Sequence, residues 1–180
     1  MCVVSKRLDV EKIKNELLSF TQKSVTEFLE ENPTLIFYAF AFDCNADYAE
    51  INLCLNTESS FEKILQSYQT GEFAEHYQSE EELYELKYST GDWEYQCFAT
   101  TYVLTDEEAA AIYDFETEYE NQANDLMNLF GETLLDFILT DEFNSIPKTD
   151  DFKILCLNHD ESIESAELRL NQIKDSRNRT

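Results

Sequence analysis

From Leu8 to Glu31 the apolar residues Val10, Ile13, Leu17, Val25 and Phe28 recur at three-to-four-residue spacing. That is the stripe of an amphipathic helix, and Asn32-Pro33 ends it. Two dense apolar runs follow, Leu35 to Phe42 and Ile51 to Leu55, with turn-forming residues from Asp43 to Asp47 between them. They read as two antiparallel strands, the first buried on both faces. Ser59 with Glu62 forms a capping-box pattern. Phe61, Ile64, Leu65 and Tyr68 then supply one apolar face, which places a helix over Ser60 to Thr70 with Gly71 as its stop. Glu72 to Glu85 is acidic and aromatic without a clear period and reads as loop or a short helical turn. Leu86 to Ser89 and Trp93 to Thr101 read as two strands around a Thr90-Gly91-Asp92 turn, with Trp93 buried at the start of the second.

Thr105 with Glu108 is a second capping box and opens a long helical region, in which Ala109, Ile112, Tyr119, Ala123, Leu126 and Phe130 recur at helical spacing. Gly131 is a candidate break before a further helix over Glu132 to Leu139. Pro147 marks a connection to a last strand, Phe152 to Leu157, and Asp160 is a candidate cap for a final helix through Leu170. From Lys174 to Thr180 the chain is polar and expected to fray. No internal repeat or low-complexity tract interrupts it. The expectation is a single α+β domain over residues 1–173 with a tail at 174–180. Its sheet is largely antiparallel with about five strands and flanking helices, including a long acidic helical region.

A length of 180 residues suits one domain. With 43% hydrophobic and 13% aromatic residues, the chain has enough apolar area to fold despite a net charge of −25. An excess of 38 acidic over 13 basic residues repels polyanions. Nucleic acid and anionic membrane surfaces are therefore disfavoured as partners, and basic proteins are favoured. The five cysteines, Cys2, Cys44, Cys54, Cys97 and Cys156, are odd in number, widely spaced and mostly set in apolar runs. They read as reduced, metal-free thiols of a cytoplasmic protein. Met1 to Leu8 is too brief for a signal-peptide apolar region, and no run approaches transmembrane length.

Catalytic chemistry finds little support. The cysteines and the two histidines, His76 and His159, form no Cys-x-x-Cys or His-x-x-x-His pair of the kind zinc requires. Cys156 and His159 are close in sequence, but the first sits in a strand pattern and the second in the turn beyond it. Asp106 to Glu108 occupy a first helical turn, where acids favour the positive end of the dipole. The three glycines, Gly71, Gly91 and Gly131, build no phosphate-cradling loop. No cofactor, metal site or catalytic residue is assigned, and the chain is read as a binding protein rather than an enzyme.

Between Glu72 and Pro147 the only Lys or Arg is Lys87, while acids recur throughout. This stretch is either a solvated surface that maintains solubility or a recognition surface. Interleaved aromatics, among them Tyr77, Tyr84, Tyr88, Trp93 and Tyr95, favour recognition, because tyrosine and tryptophan are enriched at interface cores. The candidate partner-binding residues are Glu80, Glu81, Glu82, Glu85, Asp92 and Glu94.

Several segments in order resemble a bacterial family of domains of unknown function. They are the N-terminal amphipathic helix, Phe37-Tyr38-Ala39-Phe40-Ala41, Asn56-Thr57-Glu58, Ser89-Thr90-Gly91-Asp92-Trp93-Glu94-Tyr95, and Ser165-Ala166-Glu167-Leu168-Arg169-Leu170-Asn171. The resemblance implies an α+β fold. It also implies an association with toxin-immunity loci, and it implies no activity. The leading expectation is a cytoplasmic immunity or inhibitor protein that neutralises a cognate basic toxin by direct binding. A polyanion mimic that blocks another basic protein and an enzyme with an unrecognised site are the alternatives; oligomeric state is left open.

Overall fold

A computed structural model describes residues 9–70, 75–105, 107–108 and 119–179. Helix α1 (Val10–Glu31) begins where the Asp9 carboxylate accepts the Lys12 N–H at 3.1 Å. Its buried residues, Ile13, Leu17, Thr21 and Val25, fall every four positions on one stripe. Thr21 fits that apolar stripe because its hydroxyl donates to the Leu17 carbonyl at 2.9 Å. The helix stops at Asn32, whose side-chain amide donates to the Phe28 carbonyl, just before Pro33.

Strand β1 (Phe37–Asn45) turns through a short 3-10 segment into β2 (Glu50–Asn56), its antiparallel partner. The corner is fixed by Ala49, which adopts a left-handed φ of 50°, and by Asn158, whose side-chain oxygen accepts the Ala46 N–H at 3.0 Å. The chain continues through α2 (Glu58–Thr70), α3 (Glu80–Tyr88), β3 (Tyr95–Tyr102) and α4 (Tyr119–Phe137). It ends with α5 (Asp141–Ser145), β4 (Lys148–Asn158) and α6 (Ile163–Arg177). The strands lie in the order β3-β2-β1-β4, with β4 parallel to β1 and the other neighbours antiparallel.

Both faces of this sheet are buried in its middle. On one face Phe40, Phe42, Ile51, Leu53, Leu55 and Cys156 pack against α1 and α4. On the other, Tyr38, Ala41, Cys54, Leu155 and Leu157 meet Tyr88, Trp93 and the first turns of α6. Every residue from Phe37 to Phe42 is fully buried, as a central strand between two layers requires. Trp93 is 2% exposed. Its indole N–H donates to the Lys87 carbonyl at 3.0 Å, and its ring meets Tyr38 edge-on at 5.9 Å.

The architecture is α+β, with two corrections to the expected sheet. Among the described residues it has four strands, and one of its three pairings is parallel. The missing strand is Leu86 to Ser89, which instead closes α3. Leu86 and Tyr88 alternate as in a strand, but the Tyr84 and Tyr88 rings meet at i,i+4, tilted at 55° with centroids 4.8 Å apart. Ser79 with Glu82 caps the helix at its other end. Local capping also moves elsewhere. Thr57, not Ser59, accepts a first-turn N–H of α2, from Ser60 at 3.2 Å. Ser162, not Asp160, caps α6 by accepting the Ser165 N–H. Gly131 does not break α4; a Cβ there would lie 2.6 Å from the Ile173 side chain, so glycine lets α4 and α6 approach closely. Helix α6 runs past Lys174 to Arg177, which pairs with Asp136 at 2.9 Å. The capping box of Thr105 and Glu108 forms. Cys2, Gly71, Ala109 and Ile112 lie outside the described residues; Cys44, Cys54, Cys97 and Cys156 are free thiols.

Because Trp93 fills the layer between β1 and α3, Trp93→Ala is expected to cost about 3–5 kcal/mol of folding stability. An unchanged urea midpoint would show that the indole contributes no packing there.

Candidate functional site

The acidic residues singled out above fall into two groups at opposite ends of α3. Asp92 and Glu94 stand beyond its C-terminal end, on the rim of a groove of about 350 Å³ between α2 and the start of β3. Ile64 and Trp93 form its apolar lining; Ser60, Lys63, Gly91 and Gln96 complete it. The buried Ser60 hydroxyl donates to the Glu94 carboxylate and shares a hydrogen bond with the Thr57 hydroxyl at 2.8 Å. The Glu94 N–H donates to the Asn56 side-chain oxygen at 3.4 Å. Asn56 in turn donates to the Tyr38 hydroxyl, which donates to the Lys87 carbonyl at 2.6 Å. Glu94 is thus held by a polar chain running from the groove into the core. Asp92 accepts from Tyr68 at 2.6 Å and from Ser89 at 2.9 Å. That carboxylate beside the Tyr68 phenol pushes the phenol up to about 12.

Glu80, Glu81 and Glu82 form the first turn of α3, a nine-residue helix about 13 Å long at 1.5 Å per residue. Their roles differ. Glu82 accepts from the Gln78 and Ser79 N–H groups, both at 3.0 Å, and from the Ser79 hydroxyl at 2.9 Å. The Ser79 backbone N–H, then the Ser79 hydroxyl and the Gln78 N–H, hold its carboxyl below the ordinary range. Glu80, Glu81 and Glu85 are exposed and have no ion-pair partner among the described residues.

Lys87 turns inward. Its ammonium lies 2.7 Å from Glu58 and 3.8 Å from Asp151, and 4.7 Å from the centre of the Tyr38 ring. Both acids lie outside the Glu72–Pro147 stretch. Its one cation is therefore withdrawn from that stretch's surface.

The sequence signals for catalysis do not converge. Cys156 is buried against Cys44, while His159 is exposed beside Asp160. Among the described residues no cluster of three or more His, Cys, Asp or Glu is disposed to hold a metal ion. No described helix is long and apolar enough to cross a membrane. Sequence reasoning missed Ser60, Lys63 and Gln96, because the Ser60–Glu94 bond joins residues 34 positions apart and leaves no local pattern.

A family described as a domain of unknown function (DUF4303) matches residues 17–174. No curated protein and no solved structure matches the chain.

The division of labour along α3 is testable by pH. Glu82's pKa is depressed in the folded state, so its capping contribution is present above its unfolded value of about 4.3. It is lost as pH falls through the lower folded value. Glu82→Ala should lower the thermal midpoint at neutral pH and remove this acid-sensitive component, whereas Glu85→Ala should change neither. Circular-dichroism melts from neutral pH down through the carboxylate range distinguish the two; equal effects would deny Glu82 its special role.

Proposed function

The chain belongs to the DUF4303 family of domains of unknown function, and from that premise we propose that it is a binding protein that captures a basic protein partner through the α2–α3–β3 surface. The inward turn of Lys87 carries this reading. The cation that could have neutralised the surface of the Glu72–Pro147 stretch instead bridges Glu58 and Asp151, two acids outside it. Some acids of the stretch are balanced from elsewhere: Glu132 and Asp136 by Lys14, and Asp136 also by Arg177. What remains unopposed includes Glu80, Glu81 and Glu85. Asp92 and Glu94 join them beside an apolar groove, where Lys63 reaches Glu94 only at 3.8 Å and is itself 73% exposed.

Such a groove suits a lysine or arginine of the partner. Its stem would lie along Ile64, and its charged head would meet Asp92 and Glu94. The partner class is a toxin acting in the same compartment as this chain, which acts as the immunity protein. Inhibition follows from occlusion, and the acids of α3 serve to accelerate encounter. Steering by exposed carboxylates is long-ranged only while salt is low; at ~0.15 M it reaches about 8 Å.

Co-expression with the product of the neighbouring gene, with growth and association kinetics as readouts, tests this. Association should slow steeply with salt while dissociation changes little. Glu80→Lys, Glu81→Lys and Glu85→Lys together should slow association further. Substitutions at Asp92 and Glu94 should chiefly speed release. Rescue requiring direct binding to that one product supports immunity. Equal affinity for many unrelated basic proteins would identify a polyanion mimic instead, and no binding to any of them would overturn the proposal.

A further inference from the structure

Strand β3 is irregular opposite Cys54. Leu53 pairs with Ala99 and Leu55 with Tyr95, so Gln96, Cys97 and Phe98 all stand against the single residue Cys54. Cys97, at the centre of this bulge, adopts a left-handed φ of 50°, a conformation that disfavours side chains other than Gly, Asn and Asp. The consequence is a close approach of two cysteines. The Cys97 N–H points at the Cys54 sulfur at 3.3 Å, and the Cys54 thiol itself reaches the Asn52 carbonyl at 3.8 Å.

Their surroundings differ in a useful direction. Cys97 is exposed and Cys54 is fully buried. The neighbouring Cys54 side chain brings Cys97 down to about 7, against burial and the nearby charges of Asp43 and Glu50. The Cys97 side chain, together with burial, drives Cys54 well up. One sulfur is therefore accessible and ionises readily, and the other waits beside it as a thiol. The second cysteine pair, Cys44 with Cys156, is 1% exposed at both members and provides an internal contrast.

We propose that Cys97 and Cys54 form a redox-active dithiol whose co-substrate is a hydroperoxide, with Cys97 the attacking sulfur and Cys54 the resolving one. The Cys97 thiolate attacks the terminal peroxide oxygen, and the O–O bond breaks. The departing alkoxide or hydroxide takes a proton to become alcohol or water, and Cys97 is left as a sulfenic acid. Cys54 then loses its proton and attacks the Cys97 sulfur; the S–O bond breaks and the oxygen leaves as water. Two thiols have lost two electrons and two protons, the hydroperoxide has gained two electrons, and one disulfide has formed. With the Cys97 backbone nitrogen 3.3 Å from the Cys54 sulfur, the two side chains start from adjoining positions on neighbouring strands. The bond would staple edge strand β3 to β2, and a dithiol reductant would reverse it.

The test exposes the full, reduced protein to hydrogen peroxide and then counts thiols after denaturation, with the cross-link located by peptide mapping. The expected result is loss of two thiols, one intramolecular Cys54–Cys97 disulfide, and intact Cys44 and Cys156. Cys54→Ser should halt the reaction at a Cys97 sulfenic acid that dimedone traps, and Cys97→Ser should abolish both products. Should either variant fail to fold, iodoacetamide alkylation of the unmodified protein gives a second readout: Cys97 should react first, with a pH midpoint near neutrality. The proposal is overturned if wild-type Cys97 oxidises onward to sulfinic acid with Cys54 still reduced, if another pair bridges first, or if Cys97 alkylates no faster than an ordinary exposed thiol.

Discussion

The structure depends on burying β1 from both sides. A strand in which Phe37, Tyr38, Ala39, Phe40, Ala41 and Phe42 are all fully enclosed cannot sit at an edge or face solvent, because each aromatic ring exposed would forfeit on the order of 2 kcal/mol of transfer free energy. It needs a strand on each flank and a layer on each face. β2 and β4 satisfy the first need; the α1–α4 layer on one face and Trp93, Tyr88 and α6 on the other satisfy the second. The position of the groove follows from this. Trp93 must reach down onto Tyr38, so the residues on either side of it, Asp92 and Glu94, are carried to the surface as a pair.

Several cations among the described residues act as connectors between elements. Lys14 ties α1 to α4, Lys153 ties β4 to α6 through Glu167, and Arg169 bridges Glu161 and the Cys156 carbonyl. Burial works against the charged forms of Lys14 and Lys153, but the carboxylates they meet outweigh it and raise both. With scarce positive charge drawn into these links, the surface keeps a large surplus of carboxylates. That surplus opposes compaction at long range. The apolar layers must therefore hold the fold together against it.

Much of this was legible in the chain and some could not be. The uninterrupted apolar run of β1 announces two buried faces, and the Thr105–Glu108 box forms as its spacing implies. The Ser79–Glu82 spacing announces α3 equally well, yet Leu86 and Tyr88 two positions apart imitate a strand; in a helix of only nine residues a single alternation is enough to mislead. The parallel alignment of β4 leaves no mark in β4 itself, since alternation records which faces are buried and not which strand lies alongside. The groove was hidden for a similar reason. Ser60 and Lys63 belong to α2 and Glu94 to the approach to β3, and only the packing of α2 over the start of β3 brings them together.

The parallel pairing of β1 with β4 also sets an order of events during synthesis. Phe42 lies beside Cys156, so one flank of the most apolar strand in the molecule finds its partner only after more than a hundred further residues have left the ribosome. At ordinary elongation rates of ~5–20 residues per second, that interval is on the order of 10 s. Throughout it the β1–β2 hairpin presents an open, aromatic-rich edge. A nascent chain of this kind invites a chaperone, and the high density of like charge along the rest of the polypeptide keeps neighbouring nascent chains apart until the sheet closes.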